Sequence, residues 1–156
     1  MSSPIALGSQ PTRLARLFIA GLALAGSTAW AQMTPVGTWQ SIDDSTGQAK
    51  AQIVISESAG VLTGRIEKLL RKEADPNSIC DKCSGDRKDK PVVGLEIIRG
   101  AKKAEGKEVW EGGRILDPEK GSDYGLRLTP IEAGKKLEVR GSIGPFGRTQ
   151  TWTRVQ

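Results

Sequence analysis

Period-two alternation constrains this chain more than any other feature. From residue 36 onward, short apolar runs are separated by clusters of Gly, Asp, Ser and Pro. In Asp123 to Thr129, Tyr124, Leu126 and Leu128 share one face. In Lys136 to Gly144, Leu137, Val139, Gly141 and Ile143 do the same. Side chains that alternate in this way stand on opposite faces of a strand. No stretch of helical period is long enough to compete, although Glu67 to Ala74 has room for a turn or two of helix. The fold class expected is all-β.

Further strands are expected over Val36 to Ile42, Ala49 to Glu57, Val61 to Leu69, Val92 to Ile98, Lys107 to Leu116 and Arg148 to Val155. Ser58-Ala59-Gly60 reads as a hairpin. Asp43 to Gly47 and Asp117 to Gly121 read as turns, and Leu70 to Lys90 as a long loop. A count of about eight strands is enough to close a small antiparallel up-and-down β-barrel, its interior either filled or holding one small ligand. Closure also removes the unpaired sheet edges that a β-protein must otherwise protect.

Residues 1–31 have a different character and read as a secretory signal peptide. Arg13 and Arg16 precede the apolar run Leu17 to Ala25, and Ala29-Trp30-Ala31 offers the small-x-small pattern of a cleavage site. The run is too short for a transmembrane segment, which needs about 20 apolar residues. The expectation is export to the periplasm or beyond, cleavage near Ala31, and one mature domain over residues 32–156. The leader holds two basic and no acidic residues. The 23 basic and 18 acidic residues of the whole chain therefore leave 21 and 18 in the mature part, a net charge of +3.

That excess is spread over loops, with Lys102-Lys103 and Arg87-Lys88 the densest pairs. No basic stripe with interleaved aromatics is present, so nucleic acid is not an expected partner. Solubility accounts for the lysines; attraction to anionic envelope headgroups is the weaker reading, since no basic helix gathers them. The chain contains no histidine. This excludes Ser-His-Asp and Cys-His catalysis and removes the usual base near neutral pH. With no catalytic constellation in sight, the chain is not expected to be an enzyme, and no cofactor is implied.

Several motifs together resemble a known family. Gly37-Thr38-Trp39 opens the first strand, Cys80-Asp81-Lys82-Cys83 sits in the long loop, and Gly94-Leu95-Glu96-Ile97-Ile98 follows. Trp110-Glu111-Gly112-Gly113-Arg114-Ile115-Leu116-Asp117-Pro118 precedes Gly121 and Tyr124. The chain closes with Leu137 to Gly141 and Gly147 to Arg154. This set is similar to the secreted bacterial proteins grouped as domain of unknown function 2147. The resemblance implies a lipocalin-like β-barrel and no established activity. Gly37-x-Trp39 also resembles the lipocalin opening motif. It implies that Gly37, Trp39 and Arg154 are structural, with an arginine of the last strand stacked on Trp39 to close the barrel bottom.

Cys80 and Cys83 are the only cysteines. In an exported chain, with both inside a polar loop, a local disulfide is the first reading. A thiol redox site would place the first cysteine at a helix N-terminus, and a metal site would need two further ligands. The three carboxylates from Asp117 to Asp123 miss the EF-hand spacing and suit a turn.

The last strand carries the most interesting face. Arg148, Gln150, Trp152 and Arg154 are in phase. On the strand from Lys107, Trp110, Gly112 and Arg114 share a face with Leu116. If these faces point inward, Trp110, Arg114, Tyr124, Arg148, Gln150 and Trp152 line an aromatic lumen with cationic groups. Such a lumen suits a small amphipathic, anionic or lipid-like molecule. The alternatives are a filled barrel acting as an envelope interaction module and, last, a redox protein using Cys80 and Cys83.

Overall fold

The computed structural model describes residues 33–155. Eight antiparallel strands follow one another: β1 (Gly37–Ile42), β2 (Ala49–Ser58), β3 (Val61–Leu69), β4 (Glu96–Lys103), β5 (Trp110–Asp117), β6 (Ser122–Ile131), β7 (Lys136–Ile143) and β8 (Phe146–Arg154). Each pairs with its chain neighbour. β8 returns to β1 through Trp39↔Arg154 and Gln40↔Thr153, which closes the barrel. The all-β up-and-down barrel expected from the alternation is the observed fold. The leader expected over residues 1–31 lies outside the described residues.

Alternation grouped the residues that share the inward face correctly over β6, β7 and β8. Leu126, Leu128, Leu137, Val139 and Trp152 are all buried, and Leu128↔Val139 and Leu137↔Trp152 are cross-strand partners. With Trp39, Ile53, Ile55, Leu62 and Ile98 they form one continuous core.

Two expectations about the middle of the chain are corrected. The fourth strand is Glu96–Lys103, not Val92 to Ile98. Val92 to Leu95 instead turn, with the Leu95 N–H donating to the Val92 carbonyl. Val92 and Leu95 are buried, and the Leu95 carbonyl accepts the Ile66 N–H at 3.0 Å, so the stretch touches β3 without forming a strand of its own. The charged pair Lys102-Lys103 continues the strand because Val61, Glu111 and Trp110 pair with it. Glu67 to Ala74 forms no helix: Glu67 to Leu69 finish β3, and a turn from Arg71 to Ala74 follows.

The barrel has one closed end, where β1, β3, β5 and β7 begin. There the Trp39 indole N–H donates to the Pro35 carbonyl at 2.7 Å. The Arg154 guanidinium lies 4.2 Å from the centre of the Trp39 ring. It also donates to the carbonyls of Gly134, Val36 and Thr34 at 2.6, 2.9 and 2.7 Å. The geometry has no room for a side chain at Gly37, where φ is +134° and a Cβ would stand 2.3 Å from an Arg154 nitrogen.

At the opposite, open end lie the β1–β2, β5–β6 and β7–β8 turns and the long segment 70–95. That segment is tied down along its length. Ile79 and Pro91 form a bridge, and Arg87 pairs with Asp123 at 2.5 Å. Arg99 holds Asp86 at 2.7 Å. Cys80 and Cys83 form a disulfide, with both residues buried.

Candidate functional site

Above the core a cavity of about 910 Å³ opens from the lumen past the rim and along segment 70–95. Ligand sites for small molecules occupy about 300–1,000 Å³. Ile53 from β2, Ile66 from β3, Ile115 from β5 and Val139 from β7 wall it, and Trp152 from β8 forms its base. Tyr124 and Gln150 stand higher. Lys50, Arg71, Glu119 and Arg148 stand at the rim beside the apolar Ile79, Ile143 and Phe146.

Of the six side chains expected to line a lumen, four do so: Tyr124, Arg148, Gln150 and Trp152. The other two do not. Trp110 is buried lower in the barrel opposite Leu128, and Lys103 covers its ring at 5.2 Å. Arg114 points outward. The reason is a bulge: Gly112, at φ +77°, is an extra residue between Glu111 and Gly113 in the pairing with β6. One extra residue reverses the facing of everything after it. Trp110 and Ile115 therefore point in, whereas Arg114 and Leu116 point out. Leu116 is nevertheless buried, because the strapped segment 70–95 covers that part of the wall.

The polar groups of the lumen form a chain from base to rim. The Trp152 indole N–H donates to the Gln150 side-chain oxygen at 3.3 Å. The Gln150 amide nitrogen donates to Asp44 at 2.5 Å, and Asp44 also pairs with Arg148 at 2.6 Å. A second network crosses the rim. Arg71 pairs with Asp43 and, at 2.8 Å, with Glu119; Lys50 meets Glu119 at 2.9 Å. Hydrogen bonds from the Ser45 hydroxyl and from the Ser45 and Thr46 backbone N–H groups hold the Asp43 carboxyl well below the ordinary range, and Arg71 adds to this. Burial works against a charged Glu119, but Lys50 and Arg71 outweigh it and lower that carboxyl too.

Asp43, Asp44, Lys50, Arg71 and Glu119 escaped sequence reasoning as site residues. Asp43 and Asp117 do shape their turns, with Asp43 accepting the Ser45 N–H at 2.9 Å and Asp117 the Glu119 N–H at 3.0 Å. Their neighbours' second role has no local signal, since Gln150 meets Asp44 across 106 positions. The rim cations are thus already paired. The lumen offers an apolar well with a neutralised polar collar rather than an open anion site. Tyr124 stands apart: among the described residues its hydroxyl has no hydrogen-bond partner.

A family model described as "Uncharacterized protein conserved in bacteria (DUF2147)" matches residues 37–154. The chain belongs to this family. Its matched segment spans all eight strands, from the glycine under Arg154 to Arg154 itself. Protein HP1028 from the human pathogen Helicobacter pylori, which belongs to the lipocalin family, has a similar solved structure. The TM-score is 0.66 at 17% identity, over 78% of this chain and 82% of that one. The barrel is therefore lipocalin-like in fold. Comparison with curated proteins gives no match. Among the described residues no helix is long and apolar enough to cross a membrane, and no cluster of three His, Cys, Asp or Glu side chains is placed to hold a metal ion.

Proposed function

We propose that this chain is an exported, non-enzymatic barrel that loses residues 1–31 and carries a small amphipathic molecule in the periplasm. The observation that carries the reading is the open cavity, with Trp152 at its base and its charged collar internally paired. An apolar body would displace water from the isoleucine and tryptophan walls. A polar end would meet the Tyr124 hydroxyl and the collar. The pairing of Arg148 with Asp44 shifts the expectation from a free anion toward a mainly apolar ligand with one polar end. HP1028, as a lipocalin-family protein, supports a binding barrel by analogy of fold alone.

The burial of the Cys80–Cys83 disulfide favours a clip over a redox role, because exchange requires an attacking thiolate to reach the sulfur. The open lumen likewise weighs against a filled barrel.

The test uses residues 32–156 purified from periplasm. Native mass spectrometry is expected to show a bound mass, and a long-chain fatty acid or lysophospholipid to raise the Tm. Ligand at a hundredfold excess over Kd adds about 2.7 kcal/mol, worth several degrees in a domain of this size. A protein that carries nothing and whose Tm no lipid or metabolite moves sinks the reading.

A further inference from the structure

The β7–β8 hairpin ends at the open mouth in Ile143-Gly144-Pro145-Phe146. Phe146 is 79% exposed and Ile143 60% exposed, the highest values for large apolar side chains among the described residues. Both lie at the cavity rim. Phe146 has no role in the core, and with its cross-strand partner Ile143 it forms a small exposed apolar patch at the mouth.

The sequence on either side of the tip is cationic. No acidic residue occurs between Val139 and Gln156, whereas Arg140 and Arg148 flank the turn. Arg140 faces outward. Its guanidinium reaches only the Thr149 hydroxyl, at 3.5 Å, and lies against the bare backbone of Gly147. Arg127 is its direct cross-strand partner, a like-charge pairing that is unfavourable in itself. Glu111 relieves Arg127 at 3.0 Å but leaves Arg140 without a carboxylate. Arg114, turned outward by the Gly112 bulge, shares this wall and donates to the Asp123 backbone carbonyl at 2.9 Å. Arg148 is paired with Asp44 but 67% exposed.

We propose that this tip docks the barrel, mouth first, onto an anionic lipid bilayer. Phe146 and Ile143 enter the boundary between headgroups and acyl chains, and Arg140 and Arg114 meet lipid phosphates. Two apolar side chains on a narrow turn suit insertion between lipids. The strand stretches beside the tip carry no acid and match negative headgroups, and the rim carboxylates Asp43, Asp44 and Glu119 are each paired with a cation. Docked this way, the lumen opens toward the membrane, the source of amphipathic molecules. The docking stands independently of whether the lumen is loaded.

The experiment is co-sedimentation of residues 32–156, which hold all eight strands and their closing pair, with vesicles. One set is an equal mixture of phosphatidylglycerol and phosphatidylcholine, and the other is phosphatidylcholine alone. The protein is expected to pellet with the anionic set, less with the neutral set, and less when salt rises from about 50 to about 500 mM. Arg140→Gln is expected to weaken the anionic partition about fivefold. Joint Phe146→Ser and Ile143→Ser substitution is expected to weaken it about tenfold or more, with an unchanged circular dichroism spectrum. No pelleting of the unsubstituted protein, or pelleting that the serine variant leaves unchanged, overturns the proposal. A lumen that binds no ligand beside a tip that still pellets removes the carrier reading and keeps this one.

Discussion

Gln150 joins the base of the lumen to its rim: it accepts the Trp152 indole N–H at 3.3 Å and donates to Asp44 at 2.5 Å. The contact fastens β8 to the β1–β2 turn, two segments joined near the barrel's narrow seam. Gln150→Leu strands the indole N–H and removes one of the two Asp44 contacts. Loss of a partly buried hydrogen-bond partner costs about 1–3 kcal/mol. A lower midpoint in urea and a shifted Trp152 emission are expected. Unchanged values for both mean that water replaces the amide without loss.

At the closed end, Arg154 combines a stacking contact on Trp39 with donations to three carbonyls. Burial lowers its proton affinity from the usual arginine value, since the buried cation has lost hydration. Arg154→Met keeps much of the stacking volume and removes the donors, leaving the carbonyls of Thr34, Val36 and Gly134 short of partners. The expected loss is about 2–4 kcal/mol. Gly37→Ala is expected to be comparably damaging, because the Cβ collides with the guanidinium. Thermal melting of both variants checks this. A Gly37→Ala protein that melts like the parent contradicts the close approach.

Acid is expected to loosen the rim late. The folded-state pKa values of Asp43 and Glu119 are both depressed, from ordinary values of 3.8 and 4.5. A depressed carboxyl contributes stability above its unfolded pKa and loses it as pH falls through the folded one. The contribution of these two groups should therefore be flat from pH 7 to about 5 and decline below about 4. Hydrogen exchange in segment 70–95, followed against pH, reads it directly. Loosening already at pH 6 would require a different titrating group.

The Cys80–Cys83 bridge spans a sequence separation of only 3. Closing so short a loop stabilises by about 2 kcal/mol in the chain-entropy picture. Paired Cys80→Ala and Cys83→Ala substitution should lower the Tm by several degrees while leaving a folded barrel. Exchange should accelerate within residues 70–95 and not in β6–β8. A globally unfolded variant would assign the bridge to the barrel rather than to the strap.

Tyr124 separates binding from stability. Its hydroxyl has no protein partner among the described residues, so Tyr124→Phe should leave the Tm of the empty protein within about 1 °C. If the hydroxyl holds the polar end of the ligand, affinity should fall by about fivefold to tenfold. Isothermal titration with the ligand identified by mass spectrometry tests this, and an unaltered Kd removes Tyr124 from the site.

The outward turn of Arg114 shows where sequence reading stops. Alternation is a local property, because each side chain faces opposite its neighbour along a regular strand. Over β6, β7 and β8 that rule was enough to group Tyr124 with Leu128, Leu137 with Val139, and Gln150 with Trp152, groups that closure of the barrel turned inward. It failed on β5, because one extra residue at Gly112 reverses the phase, and Gly112-Gly113 does not reveal in sequence which glycine is the extra one. It also misplaced β4, because Val92 and Leu95 are buried in a turn that precedes the strand.

By itself, then, the sequence determined the all-β class, a count of about eight strands and which residues share a face on strands without a bulge, because these follow from short-range alternation and turn chemistry. Tertiary structure alone decided that Arg148 is paired rather than free, that Asp44 and Arg71 form the collar, and that Phe146 is left bare at the mouth. Those outcomes depend on residues tens of positions apart meeting as the barrel closes. Pairing of that kind leaves no periodic trace along the chain.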